Sequence, residues 1–152
     1  MSTKNIFEAA VSAEMVNRIN QLTPNTQPLW GKMNASKMLA HCSVTYEMIY
    51  DNKHPKPNAL MRFVLKLFVK KGVVNETPYP KNSPTAPVFI IKDDKNFEVE
   101  KIRLIEYINK TLALGPNYFE NKESLSFGKL TTSEWNNMLY KHLDHHLSQF
   151  GV

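Results

Sequence analysis

Three of the five histidines stand together in His142-Leu143-Asp144-His145-His146. The surrounding residues have helical spacing, and a helix turns about 100° per residue. Measured from Trp135, His142 and His146 fall within about 20° of the centre of the apolar stripe. His145 falls at the flank, about 80° away, and Asp144 points to the opposite side, near 180°. Core-facing positions normally take Leu or Ile. Two imidazoles there need partners, because a buried polar group without one costs roughly 1–3 kcal/mol. Side chains four apart on a helix are neighbours, so the two rings can converge on one ion. Neutral imidazole is the commonest metal-binding side chain. The competing reading is a pair of core histidines hydrogen-bonded to other helices or to water.

Two ligands do not close a site, since catalytic zinc commonly takes three protein ligands and keeps one position open. The two other histidines are His41 and His54. His41 lies in a helical segment, at the edge of its stripe rather than the centre. His54 precedes Pro55 among lysines and reads as solvated. Cys42 follows His41, but adjacent helical residues point about 100° apart and do not pair. Cys42 therefore reads as a small buried hydrophobe. Trp30, Tyr46 and Trp135 are candidates to line a pocket, although aromatics at helical spacing more often fill a core. His-Glu-x-x-His, the zinc-protease pattern, is absent.

The elements that must position these residues follow from periodicity. A first helix is predicted from roughly Ile6 to Leu22, where apolar residues recur at steps of three and four. A second should start at Asn34, a good N-cap, and end near Tyr50 or Asp51. A shorter one runs from Ala59 to Lys71 and stops at Gly72. The four prolines between 73 and 92 predict irregular chain there, with Val88-Phe89-Ile90-Ile91 as a loop packed on the core. Asp94 should cap a third long helix that ends at Gly115-Pro116, followed by a loop of about 15 residues. Thr131-Thr132-Ser133-Glu134 fits a capping box opening the last helix, which ends near Gln149 or Phe150. The expected fold is an all-α bundle of one domain over residues 1–152, with one extra short helix and long connecting loops.

Composition sets the outer bounds. The chain has 152 residues, 42% of them hydrophobic, and a formal charge of +5. That is too apolar for a disordered chain and suits one core. A single cysteine forbids an internal disulfide framework and fits a reducing cytosol, so a cytoplasmic protein is expected. The N-terminus carries Glu8 and Glu14 and reads as helix, not as a signal peptide. The positive residues are spread out, apart from the basic amphipathic run Met61–Lys71. Its apolar side is expected to pack on its own bundle or on a second copy, so neither nucleic acid nor membrane is the expected partner.

Trp30-Gly31-Lys32-Met33, Met38-Leu39-Ala40-His41 and His142-x-x-His145-His146-x-x-Gln149 together resemble the DinB-like superfamily of metal-binding helical bundles. The closer resemblance, to a subgroup of uncharacterised bacterial proteins, is carried by Phe127-Gly128-Lys129-Leu130-Thr131, Glu134-Trp135 and Lys141 to Gly151. The resemblance implies a four-helix bundle, often a homodimer. It implies a divalent metal ion held by His41, His142 and His146, with zinc, nickel, iron or manganese as candidates. His145, Trp30 and Tyr46 are then candidates to support the site or touch substrate. The implied activities are transfer of a low-molecular-weight thiol to a small molecule and metal-dependent hydrolysis. The alternatives are a non-catalytic bundle in which the cluster is structural, and a stress-related small-molecule-binding protein.

Overall fold

The structure is a computed structural model that describes residues 3–152. Four long helices form the all-α bundle that the periodicity predicts: α1 (Ala9–Asn20), α2 (Ala35–Tyr50), α5 (Phe97–Phe119) and α6 (Thr132–Gln149). Two short helices, α3 (Ala59–Val64) and α4 (Lys70–Val74), are joined by a π-helical turn, Leu65–Val69. The short helix therefore runs through Gly72 instead of stopping there.

Helix α2 occupies the middle and packs against α5 and α6, while α1 closes the other side of the same pair. Ile6, Met15, Ile19, Met38, Leu39, Leu104, Ile108, Leu139 and Leu143 fill the core. Asn34 caps α2, its side chain accepting from the Lys37 amide at 2.9 Å. Thr131 and Glu134 form the expected capping box at the start of α6. The cap of α5 is Asn96, which accepts from the Val99 amide, and not Asp94 two residues earlier. Gly115 does break α5: its φ of 71° leaves the helical region, and Pro116 opens one further turn to Phe119. The loop that follows contains a small antiparallel hairpin, β1 (Lys122–Ser124) and β2 (Gly128–Leu130).

The long connection before α5 is irregular, as its prolines require, apart from a 3₁₀ turn at Pro87–Phe89. Val88 and Ile90 are exposed, and Phe89 alone of that trio turns inward. Where the connection leaves α4, side chains of α6 tie it down. The buried Lys141 donates to the carbonyls of Gly72, Val73 and Asn75 at 2.8–3.2 Å, and Asn137 donates to Val74. A cation at a helix C-terminus is favoured by the aligned peptide dipoles. Burial nonetheless pushes the Lys141 amine down to about 8.

Tyr46 is fully buried and stacks on Tyr107 with ring centroids 5.6 Å apart. Its hydroxyl has no hydrogen-bond partner among the described residues. An unpaired buried hydroxyl is destabilising, so Tyr46→Phe is expected to raise the unfolding free energy by about 1 kcal/mol. Urea denaturation measures this, and a loss of stability would show that the hydroxyl is satisfied in solution.

Candidate metal centre

His41, His142 and His146 come together between α2 and α6, with one ligand-capable atom of each within 4.8 Å of the others. The ring centroids lie 4.5–4.9 Å apart. His41 and His146 are buried and His142 is half-buried. The sequence-derived face of α6 is thus the face that meets α2. His41, placed at the edge of its stripe by the wheel, lies in the same cluster.

Each ring has its Nδ1 occupied. His41 Nδ1 is 2.9 Å from the Phe89 carbonyl, which can only accept, so this nitrogen carries the proton. Gln149 donates its amide to the Trp30 carbonyl at 2.7 Å, which turns its Oε1 towards His146 Nδ1 at 2.8 Å. That nitrogen too must carry the proton. The Nε2 atoms of His41 and His146 are therefore left with free lone pairs. His142 Nδ1 lies 3.1 Å from Thr45 Oγ1, and its Nε2 lies 3.0 Å from His41 Nε2. Thr45 can donate or accept. It can thus support either tautomer of His142: the one whose Nε2–H donates to His41, or the one whose bare Nε2 binds an ion.

These donors fit a divalent cation. Three neutral imidazoles present Nε2, and each Nδ1 is oriented by a partner, the arrangement that fixes ring and tautomer in metal sites. Two Zn–N bonds at a tetrahedral angle place their nitrogens about 3.3 Å apart, close to the His41–His142 separation. The rings are held neutral, as ligands must be. Burial lowers the pKa of His41, with His145 adding to the effect. Burial, then the neighbouring His146 and His41, pushes His142 well below the ordinary range. Burial and His41 push His146 down to about 3.

Gly31 makes room for one of these contacts. Its φ is +82°, and a Cβ there would stand 2.5 Å from Gln149 Nε2. The close approach of this turn to α6 lets the Trp30 carbonyl reach Gln149.

His145 stays outside the cluster. It packs on His146, Trp30 and Tyr79 at centroid distances of 5.0–5.9 Å and is half-buried. Trp30 carries Lys81 over its ring at 4.3 Å. Of the aromatic candidates, Trp30 therefore borders the site. The contacts of Tyr46 belong to the core. Trp135 is buried against Phe119, with its Nε1 donating to the Lys122 carbonyl. Asp144 is on the far side of α6, paired with Arg18 at 2.7 Å. His54 is not a solvated loop residue: its Nε2 lies 2.7 Å from Glu47 Oε2. Cys42 is fully buried, its Sγ 3.7 Å from Met38 Sδ, and burial pushes its thiol up, away from the reactive thiolate. Cys42→Ala is expected to retain metal binding and any turnover, and complete loss in a folded variant would contradict its assignment as packing.

Sequence reasoning missed Thr45, the Phe89 carbonyl and the role of Gln149. Thr45 is four residues after His41 and Gln149 three after His146, so helical spacing pointed to both. Removing a residue that orients a ligand typically lowers metal affinity by about 10–100-fold. Thr45→Val keeps the shape and deletes the hydroxyl, and is expected to fall in that range by competition titration with a chromophoric chelator. Unchanged affinity would show that His142 needs no such partner.

Comparison with curated proteins and with solved structures gives no match. Residues 3–151 match the family described as Protein of unknown function (DUF1569), and the chain belongs to that family.

Proposed function

We propose that the protein is a divalent-metal-dependent enzyme of the DinB-like type, acting on a small molecule with water or a low-molecular-weight thiol as nucleophile. The observation that carries this reading is the convergence of His41, His142 and His146 with every Nδ1 engaged. A divalent ion held there would supply Lewis acidity, making water or a thiol nucleophilic near neutral pH. The protein's own part is to orient. Phe89, Thr45 and Gln149 set the three rings, and neutral ligands leave the ion's charge undiminished for an anionic fourth ligand. Among the described residues no further histidine, cysteine or carboxylate joins the cluster. A catalytic site keeps such a position open, whereas a purely structural zinc site closes it with a fourth side chain. Trp30, Tyr79 and His145 form an aromatic border beside the cluster, with Lys81 as its cation. That border suits a small molecule with a flat or anionic part.

The test is turnover by metal-loaded protein against two panels, small electrophiles with added thiol and activated esters without it. The reading expects turnover in one panel that is abolished by chelator and by His146→Ala. Full metal occupancy with no turnover in either panel would favour the structural role instead.

A further inference from the structure

Of the apolar residues from Leu60 to Phe68, Leu65 packs on the core and the others face outward. No residue of α3 or of the π-helical turn is buried. Leu60 and Phe68 are each 74% exposed, Phe63 63% and Leu67 58%. These residues recur at steps of three, four and one, so they form one outward stripe. A contiguous exposed apolar patch of this kind marks an interaction surface.

The charge carried by this stretch of chain has one sign. Between Asp51 and Glu76 there is no acidic residue, while Lys53, Lys56, Arg62, Lys66, Lys70 and Lys71 all fall there. Lys53 pairs with Glu47 and Asp51, Arg62 and Lys56 with Glu123, and Lys70 with Glu134. Lys66 and Lys71 are exposed and have no carboxylate partner among the described residues. A groove of about 240 Å³ opens beside the stripe, between Arg62, Phe63 and Lys66 on one side and Ser126–Gly128 on the other. Arg62 gives one terminal nitrogen to Glu123 at 2.7 Å, and its Nε–H has no acceptor among the described residues.

We propose that this face docks peripherally on an anionic lipid bilayer, Leu60, Phe63, Leu67 and Phe68 entering the headgroup boundary while Lys66 and Lys71 meet lipid phosphates. An apolar face flanked by lysine and arginine is the composition of helices that lie in the membrane interface. A second copy is the weaker occupant. A two-fold interface through this stripe sets each patch against itself and brings like charges together. No helix among the described residues is long and apolar enough to cross a membrane, so the contact proposed is with the surface. The sequence-based expectation of no membrane partner depended on the apolar side being covered by the bundle or by a second copy, and the bundle leaves Leu60, Phe63, Leu67 and Phe68 exposed.

The experiment is co-sedimentation of the full chain with vesicles of phosphatidylcholine alone and of phosphatidylcholine mixed with phosphatidylglycerol, at physiological salt, with light scattering on the free protein. Binding is expected to the mixed vesicles and not to the neutral ones. Each basic residue near such a surface is worth about fivefold, so Lys66→Glu with Lys71→Glu should weaken binding roughly 25-fold or more. Phe63→Ser with Phe68→Ser should abolish it while leaving the circular dichroism spectrum unchanged. Three results would overturn the proposal: no binding to mixed vesicles, equal binding to both, or a free dimer that the phenylalanine variant dissociates and that does not bind lipid.

Discussion

His41→Ala, His142→Ala and His146→Ala are each expected to lose nearly all bound divalent metal, while Asp144→Ala keeps it. Among the described residues, the three rings supply the only converging donors of the cluster. Removing one leaves two, too few for a tight site. Asp144 faces α1 and binds Arg18, so its loss can cost a little stability but no ligand. His145→Ala should have a small or intermediate effect, because that ring touches His146 and Trp30 without joining the cluster. A bound ion stabilises the native state by mass action, about 2.7 kcal/mol when free metal is a hundredfold above the dissociation constant. The ligand variants should therefore show melting temperatures that chelator no longer changes. Elemental analysis of untagged protein and melting with and without chelator check all five variants. If His145→Ala strips the metal and His146→Ala does not, the register of α6 is misassigned.

Glu47→Ala is expected to lower stability by about 3 kcal/mol, the lower end of the range for breaking a buried ion pair. Glu47 is buried in α2, and it joins that helix to α5 through Arg103 and to the following loop through His54. Arg103 also binds Glu100 at 2.7 Å and keeps some exposure, which tempers the cost. Burial alone would raise the Glu47 pKa. The His54 hydrogen bond and the Arg103 charge outweigh it, and the net shift is down from the usual 4.5. A carboxylate whose pKa is lowered on folding contributes stability above its unfolded pKa. That contribution is lost as pH falls through the folded value. The gap between wild type and Glu47→Ala should thus be full at about pH 7 and shrink at about pH 3, as read by urea denaturation at both. A gap independent of pH would assign the loss to packing rather than charge.

The last helix was largely legible, because α6 has one buried face and a helical wheel finds it. His142 and His146 stood out as polar residues where Leu is expected. His41 was harder for a physical reason. Helix α2 is enclosed on most sides, with Met38 to Glu47 buried without interruption, so a wheel with one apolar stripe misplaces its edge. The resemblance, not the periodicity, singled out His41. The Phe89 carbonyl was not legible at all, since a backbone atom in a proline-rich connection carries no side-chain signal. The hairpin of three-residue strands is too short to show alternation. Asp94 and Asn96 are both good caps, and the chain uses the one nearer the first buried residue, Phe97. The exposed stripe of α3 could not be foreseen, because an amphipathic pattern shows a face and not what covers it.

The most direct test of the proposed metal centre is a long-range ¹H–¹⁵N spectrum of the imidazoles, recorded on untagged protein before and after one equivalent of Zn²⁺. The structure predicts that His41, His142 and His146 respond together, each with its proton on Nδ1 and the ion on Nε2, and that His142 alone changes tautomer. Resonances of His145 or His54 moving in their place, or no saturable change in any histidine, would contradict the site.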